Sequence, residues 1–333
     1  MVLLDHGSGG LASSRLVQEI FLSRLSNPIL NELEDSAILD IGQQQIAFTT
    51  DSYVVDPIFF PGGDIGELAV NGTINDLAMK GGMPVALSLA LILEEGFSLD
   101  DLERIMDSIA RASIQAGVPV ATGDTKVVPK GKADKIFINT AGVGIIEIRF
   151  PLTASRIRPG DKILVSGTVG DHGATIMTRR QGLEVPGQFQ SDTMALHRLV
   201  RDMLELSGEN IRCFRDPTRG GLATTLVELA KKAGVTMEIA ETEIPVRKDV
   251  AQTCEILGLD PLYLANEGKL VAVVAPDVAD ELLALMQESH LAPEPAIIGR
   301  VVEQGIMPVV METAIGGKRA VEMLTGEPLP RIC

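Results

Sequence analysis

The stretch Ile46-Ala-Phe48-Thr-Thr50-Asp51 and the run that follows it, Asp64-Ile65-Gly66-Glu67-Leu68-Ala69-Val70-Asn71-Gly72-Thr73-Ile74-Asn75-Asp76-Leu77-Ala78-Met79-Lys80, decide the fold class. Residues 37–50 alternate apolar and polar positions around the turn Ile41-Gly42-Gln43, the period of a half-buried strand, so the first piece reads as a strand ending directly on the Asp51 carboxylate. In the second, Ile65, Leu68, Ala69, Ile74, Leu77 and Ala78 fall at helical spacing. Gly66 and Gly72 each lower the intrinsic stability of such a helix by roughly 1 kcal/mol relative to Ala, which points to close backbone packing around it. Working outward, Val85 to Leu93 reads as a buried strand. Ser98 caps a helix striped by Leu99, Leu102, Ile105, Met106 and Ile109 and closed by Gly117. A strand over Val118 to Ala121 ends in Thr122-Gly-Asp124, and the run Ile136–Ile148 completes a first block of alternating strands and helices.

The pattern resets near residue 150, with Phe150-Pro-Leu152, the turn Arg158-Pro-Gly-Asp161 and a new strand over Lys162–Ser166. The second block has the Gly-rich turn Gly167-Thr-Val-Gly170-Asp-His-Gly173, helices over about 192–206, 220–233 and 276–288, and strands near 236–240, 269–275 and 307–311. The expected organisation is therefore mixed α/β (α+β) in two domains, 1–149 and 150–322, followed by a mobile tail, 323–333. The tail holds two prolines, Pro328 and Pro330, that block helix and central-strand pairing.

Composition bounds the function. With 333 residues the chain is long enough for two domains of roughly 100–200 residues each. A net charge of −16 repels phosphate backbones and anionic lipid surfaces, and with aromatics at 3% and no Trp stacking platforms are scarce, so nucleic acid is a poor partner. The longest apolar stretch falls far short of the ~20 residues of a membrane span, and no membrane association is expected. Cys213, Cys254 and Cys333 are too scattered for a disulfide framework or a CxxC metal site, and the start lacks the basic and apolar regions of a secretory signal; a cytoplasmic location is expected.

Four aspartates carry the chemistry. Asp51 and Asp124 stand at expected strand ends, Asp76 lies in Ile74-Asn75-Asp76-Leu77, and Asp216 opens Asp216-Pro-Thr-Arg-Gly-Gly221. Each has a structural explanation as a cap or turn residue. Together they offer hard oxygen ligands of the kind that hold Mg²⁺ beneath the phosphates of a nucleotide triphosphate. Asp35 and Asp56 are weaker additions. Loops such as Gly7-Ser-Gly9-Gly10 and Gly220-Gly221 present backbone amides to phosphate oxygens, but no Walker loop or dinucleotide fingerprint is present. A nucleotide site must belong to another fold.

Cys333 is the most informative residue, since a thiol on the last residue of a proline-containing tail has no packing role. About ten tail residues at up to ~3.3 Å each span roughly 30 Å, the reach of a carrier arm. His172 and His6 are reserve proton acceptors because histidine titrates near neutrality.

The segments Thr49-Thr-Asp51, Val70 to Gly82, Ala121-Thr-Gly-Asp124-Thr-Lys126 and Asp216-Pro-Thr-Arg-Gly-Gly-Leu222 together resemble the ATP-binding superfamily of aminoimidazole ribonucleotide synthetase, selenophosphate synthetase and thiamine monophosphate kinase. With Asn266-Glu267-Gly268-Lys269 and the terminal Pro330-Arg-Ile-Cys333, the chain looks specifically similar to the HypE family, the carbamoyl dehydratases of NiFe-hydrogenase maturation. The resemblance covers essentially the whole chain.

It implies a homodimer that pairs the sheets of the first domains, with ATP between the two domains near the dimer interface. It implies Mg²⁺ at Asp51, Asp76, Asp124 and Asp216, and nucleotide contacts from Asp35, Asn75, Gly9 and Gly10 besides. A HypF-type carbamoyltransferase would load Cys333, ATP-dependent dehydration would give a thiocyanate, and the cyano group would pass to iron on a HypC–HypD complex. Glu267, with Lys126 assisting, is the expected base region. The rival readings are a small-molecule kinase of the same superfamily, thiamine phosphate kinase or selenophosphate synthetase in type, and a non-catalytic carrier scaffold. Ser8 stands where selenophosphate chemistry is expected to use a reactive Cys, and neither kinase explains Cys333.

Overall fold

The computed structural model describes residues 1–7, 9–183, 189–324 and 331–333. Two short helices, α1 (Leu11–Leu16) and α2 (Ser23–Leu25), lead into a hairpin of β1 (Ala37–Ile41) and β2 (Gln44–Tyr53). β2 does not end on Asp51, because Ser52 and Tyr53 continue its ladder opposite Asn139 and Ile138, and the Tyr53 ring is buried. Asp51 is thus held inside a strand. A two-residue pair, β3 (Phe59–Phe60) and β4 (Gly63–Asp64), feeds helix α3 (Ile65–Met79). The Asp64 side chain caps it, accepting from the amides of Gly66 at 2.7 Å and Glu67 at 3.1 Å.

α3 is buried almost all round, which explains its glycines. A Cβ on Gly66 would sit 2.8 Å from the Ile105 carbonyl of the neighbouring helix, and one on Gly72 would collide with the Tyr53 hydroxyl. That neighbour, α4 (Leu99–Ala116), follows β5 (Gly82–Glu94) and is capped by Ser98 and closed by Gly117 at φ +74°. β6 (Val120–Val128) and β7 (Ile136–Ile146) complete a five-stranded sheet ordered β1-β2-β7-β5-β6. The sheet is antiparallel except for β5 and β6, parallel strands joined through α4.

α3 and α4 cover one face of this sheet. On β2 the inward positions are Ala47, Thr49, Asp51 and Tyr53, while Phe48, Thr50 and Ser52 point out. β5 is therefore half-buried rather than buried throughout. Leu87, Leu89 and Leu91 pack inward, while Val85 and Ile92, on the other face, are 47% and 44% exposed. β6 does not stop before Thr122, since its pairing with β5 continues as far as Glu94 opposite Val128.

The second sheet is built from β8 (Lys162–Val165), β9 (Ile211–Arg215), β10 (Thr236–Ala240), β11 (Val271–Val274), β12 (Ala296–Val302), β13 (Val309–Glu312) and β14 (Lys318–Val321). Its order is β14-β13-β10-β12-β8-β11-β9. Between these strands run α5 (Asp171–Arg180), α6 (His197–Ser207), α7 (Gly221–Ala233), α8 (Lys248–Leu257) and α9 (Ala279–Glu288). One face packs Ile163, Val271 and Val273 against Leu222 and Leu226 of α7. The other packs Leu164, Ala272 and Val274 against α6 and α9, in a core that also takes in Met79 and Leu152.

α6 begins at His197 rather than 192, because the preceding residues stay extended to meet Asn75, whose side chain bonds the Met194 carbonyl and the Leu196 amide. The strand expected from 269 begins at Val271, because Lys269 turns aside to pair with Asp192. Val246, Val250 and Cys254 of the α8 region join α5 and the first core, so α5 and α8 lean toward the first sheet. Among the described residues no helix is long and apolar enough to cross a membrane.

Of the tail, residues 325–330 lie outside the described residues. Its last three are seated rather than extended. The amides of Val54 and Asp56 donate to the carbonyls of Cys333 at 3.0 Å and Arg331 at 3.2 Å, and Ile332 is buried in the first core.

Candidate active site

The seam between the two sheets gathers carboxylates. Asp35 precedes β1, Asp76 lies in the last turn of α3, and Asp216 follows β9; one oxygen of each lies within 4.8 Å of the others. Thr49 Oγ1 lies 2.9 Å from Asp76 Oδ2, and Thr73 Oγ1 donates to Asp51 Oδ2 at 3.1 Å, so Asp51 on β2 borders the same group. Burial pushes the Asp76 carboxyl well above its ordinary range, and the neighbouring Asp51, Asp216 and Asp35 push it further. Burial likewise raises Asp216 to about 6 against the pull of Arg215. It raises Asp35 to about 8, although Arg215 Nε bonds Asp35 Oδ1 at 2.9 Å. Asp51 is also raised by burial, with Thr73 opposing.

Several desolvated carboxylates are costly to ionise together. The arrangement fits a divalent cation: the donors are hard oxygens on separate segments, and Asp35 Oδ2 is buried with no hydrogen-bond partner.

Glu267 stands beside this group. It is 3% exposed, and Oε1 has no hydrogen-bond partner. Burial raises its pKa well above the usual carboxylate range, and the negative charges of Asp192, Asp216 and Asp51 add to that. Its backbone is fixed from both sides. The Glu267 amide donates to Asp192 Oδ1 at 3.1 Å, Asp192 Oδ2 accepts from Lys269 Nζ at 3.0 Å, and Asn75 Nδ2 reaches the Glu267 carbonyl at 3.3 Å. Asn266, next along, ties Gly170 to Pro217 through its amide side chain.

Arg219 connects the parts. The charge at Cys333 is the largest influence raising its pKa, and Asp51, Glu267 and Asp76 raise it as well. Arg219 is itself exposed, its Nη1 donating to the Gly7 carbonyl at 3.2 Å, and it is the cation on which the tail end, the candidate base and two of the acidic residues act. The N-terminal glycine loop closes over it: a Cβ on Gly9 would sit 2.9 Å from Arg219 Cβ, and one on Gly10 would strike the Leu324 carbonyl.

The structure thus brings together Asp35, Asp51, Asp76, Asp216 and Glu267, with Asn75 clamping the adjoining segments and Gly9 against Arg219. It does not bring Asp124 or Lys126 into this group within the chain. Asp124 pairs in register with Ala90 of β5, on the face turned away from α3. Lys126 Nζ bonds Asp124 Oδ1 at 2.7 Å in the open, both side chains being more than 60% exposed. The Asp124 carboxyl is held below its ordinary range, first by that hydrogen bond. His6 lies near the N-terminus, its Nδ1 within hydrogen-bond distance of the Leu3 backbone. Both ring nitrogens of His172 are engaged, by Ser191 Oγ and by the Ile332 carbonyl.

Sequence reasoning passed over Arg219, Asn266 and the Asp192–Lys269 pair. Arg219 was legible as the one cation inside Asp216-Pro-Thr-Arg-Gly-Gly221, and Asn266 as the neighbour of Glu267. Asp192 carries no local signal, because its partner is distant in sequence.

Residues 33–146 match the family model described as the N-terminal domain of AIR synthase related protein, and residues 158–311 match its C-terminal domain. The chain is 52% identical over 332 residues to the carbamoyl dehydratase HypE of Azotobacter vinelandii, an alignment covering 100% of this chain and 97% of that protein. Among solved structures, a HypE–HypF complex superposes with TM-score 0.88 at 42% identity, covering 93% of this chain and 99% of that one. A HypE in complex with ATP gives TM-score 0.84 at 50% identity, with 100% of both chains covered.

Proposed function

The chain belongs to the AIR synthase related proteins and, within them, to the HypE carbamoyl dehydratases, and from that premise we infer how its own residues carry out the reaction. It is an ATP-dependent dehydratase that converts a carbamoyl group on a C-terminal cysteine to a thiocyanate for hydrogenase maturation. The observation that carries the assignment to these residues is the seated tail. The Cys333 carbonyl accepts from the Val54 amide at 3.0 Å, three residues beyond Asp51, and the charge at Cys333 raises the pKa of Arg219 as Asp51, Glu267 and Asp76 do.

The chemistry follows from the leaving group. A thiocarbamate oxygen leaves poorly as hydroxide. When it attacks the γ-phosphorus of ATP, ADP departs and one nitrogen proton is lost; the oxygen is then a phosphate ester on a carbon doubly bonded to nitrogen. Loss of phosphate, with removal of the second nitrogen proton, leaves the C–N triple bond. Glu267 is the proton acceptor, since a carboxylate whose pKa is raised by burial is a stronger base once ionised. Arg219 counters negative charge as it gathers. Asp35, Asp51, Asp76 and Asp216 would hold Mg²⁺, which supplies charge neutralisation to the phosphates. Gly9, Gly10 and Asn75 shape the nucleotide side of the seam.

Asp124 and Lys126 stand on the exposed sheet face with Phe48, Val85 and Ile92. A second copy covering that face makes the homodimer and brings this pair into reach of a seam, with Lys126 assisting on phosphate or proton. Loading of Cys333 by a HypF-type carbamoyltransferase and delivery to a HypC–HypD complex place the cycle in a reducing cytoplasm, where the terminal thiol stays reactive.

The test is Glu267→Gln. The variant is expected to bind ATP and accept carbamoyl on Cys333, yet form nitrile at a rate lower by roughly 10²–10⁴, the usual worth of a positioned base. Normal nitrile formation by this variant contradicts the assignment.

A further inference from the structure

Histidine 172 is fully buried at the start of α5. Its Nε2 lies 2.7 Å from the carbonyl oxygen of Ile332, and its Nδ1 lies 2.7 Å from Ser191 Oγ. A carbonyl only accepts, so Nε2 carries the proton that bonds the tail, and in the neutral ring Nδ1 is then the acceptor of the Ser191 hydroxyl. Ser191 is itself pinned, its amide donating to the Pro61 carbonyl at 2.8 Å and its Oγ accepting from the Thr193 amide at 3.2 Å. The ring edge meets Phe60 in a T-shaped contact, with centroids 5.5 Å apart. Serine, amide and aromatic ring thus fix one tautomer and one orientation, and the single donor that results points at the tail backbone one residue before the acceptor thiol.

The rest of the seat is built the same way. Arg180, also on α5, donates to the Asp56 carbonyl at 2.7 Å and to the Arg331 carbonyl at 2.8 Å, bridging the two segments that pair. Arg331 Nε donates to the Val54 carbonyl at 2.8 Å. Every carbonyl of the last three residues accepts a bond: Arg331 from Asp56 and Arg180, Ile332 from His172, Cys333 from Val54. Of these donors, His172 is the side chain that is buried without exposure and committed to one orientation by neighbours.

We propose that His172 is a positioning residue for the dehydration step, a latch that holds the C-terminal segment in the seam through the Ile332 carbonyl and so sets the fraction of time Cys333 spends at the reacting groups. The inference rests on the dehydratase reading for its consequence, and on the hydrogen-bond geometry alone for the latch. It predicts a division of labour. Carbamoylation by the partner enzyme needs the tail out, and dehydration needs it in, so loosening the latch harms the second step and spares the first.

Two variants test this in the full-length protein, with the modification of Cys333 read by intact mass. His172→Phe keeps the ring against Phe60 and removes the donor; His172→Gln restores an amide N–H near the Nε2 position. Losing one net hydrogen bond from the seated state shifts the seated-to-released ratio by roughly tenfold. His172→Phe is therefore expected to raise the iodoacetamide alkylation rate of Cys333 by up to about tenfold, to leave carbamoyl uptake undiminished, and to slow ATP-driven loss of water from the loaded tail by a similar factor. His172→Gln is expected to recover most of both changes.

Far-UV circular dichroism and the thermal midpoint separate the latch from a folding defect, since Cys213 and Cys254 are buried and become alkylated only if the cores open. If His172→Phe alkylates Cys333 at the wild-type rate with its fold intact, the latch is refuted. If all three cysteines react together, a purely structural role replaces it. If wild type never dehydrates its tail while His172→Phe still exposes Cys333, the latch stands and the dehydratase reading fails.

Discussion

The two faces of the first sheet hold aspartates of opposite character. On the inner face Asp51, with Asp76 of the packed helix, is buried among carboxylates and its pKa is raised by desolvation. On the outer face Asp124 is open to solvent, bonded to Lys126, and its pKa is lowered. In the sequence both Thr50-Asp51 and Gly123-Asp124 read as aspartates delivered by strands. Which side of the pleat is covered makes one a desolvated carboxylate beside other acids and leaves the other an exposed pair with Lys126. Chemistry in this fold is assigned by face as well as by motif.

The strongest way to break that comparison is to neutralise one aspartate from each face. Asp76→Asn is expected to lower ATP-dependent dehydration by roughly 10²–10³, the scale of losing one preorganised electrostatic group, while Asp124→Asn, which reaches a seam only through a second copy, is expected to lose less and to leave the raised carboxylates of its own inner face unaltered. The readout is ADP release with carbamoyl-loaded protein. Equal residual activity in both variants contradicts a division by face.

A sharper version mixes copies. If the outer face of one chain serves the seam of another, Asp76→Asn and Lys126→Ala are each defective alone, and co-refolded mixtures regain turnover because one seam in the mixed dimer has both groups. No recovery on mixing places Lys126 outside the reaction or within its own chain's seam.

The smallest effect is on stability against pH. Asp35 and Asp216 have folded pKa values raised to about 8 and about 6 from an ordinary 3.8. The folded state therefore binds more protons than the unfolded one between those values, so stability is fullest below about pH 4 and is lost as pH rises through 6 and 8. Without divalent cation the thermal midpoint is expected to fall over that window, and added Mg²⁺ is expected to raise it by a few degrees more at pH 8 than at pH 5, on the order of 2–4 °C per kcal/mol. The exposed Asp124 contributes the opposite sign, its small stabilisation being lost as pH falls from about 3.8 through its lowered pKa. A midpoint that rises with pH in the absence of Mg²⁺ contradicts the carboxylate cluster.

Much of the frame was readable from local rules. Helix α4 runs from its Ser98 cap to Gly117 because capping chemistry is local, and α3 follows its apolar spacing. The glycines at 66 and 72 read as close packing, and the structure supplies the partners, Ile105 and Tyr53. Strand ends were misplaced at Asp51 and Asp124, since aspartate reads as a strand breaker while a paired neighbour strand carries the ladder past it. Nor does alternation in β5 say which face another element covers; only the third dimension separates Leu89 from Ile92. Asp35, Asp51, Asp76, Asp216 and Glu267 were nameable from motifs. The supporting contacts were not: Asp192 to Lys269, Asn75 to Met194 and His172 to Ile332 join residues far apart in sequence.

The central claim, that this chain dehydrates a carbamoyl group on its own last residue, is tested most directly by the intact mass of wild type and Cys333→Ala. Each is incubated with the carbamoyl-transfer enzyme and carbamoyl phosphate, before and after ATP and Mg²⁺. The account predicts that wild type gains one carbamoyl group and then loses one water only when ATP is added, while Cys333→Ala does neither. A tail that is never modified while ATP is turned over with a small-molecule acceptor contradicts it.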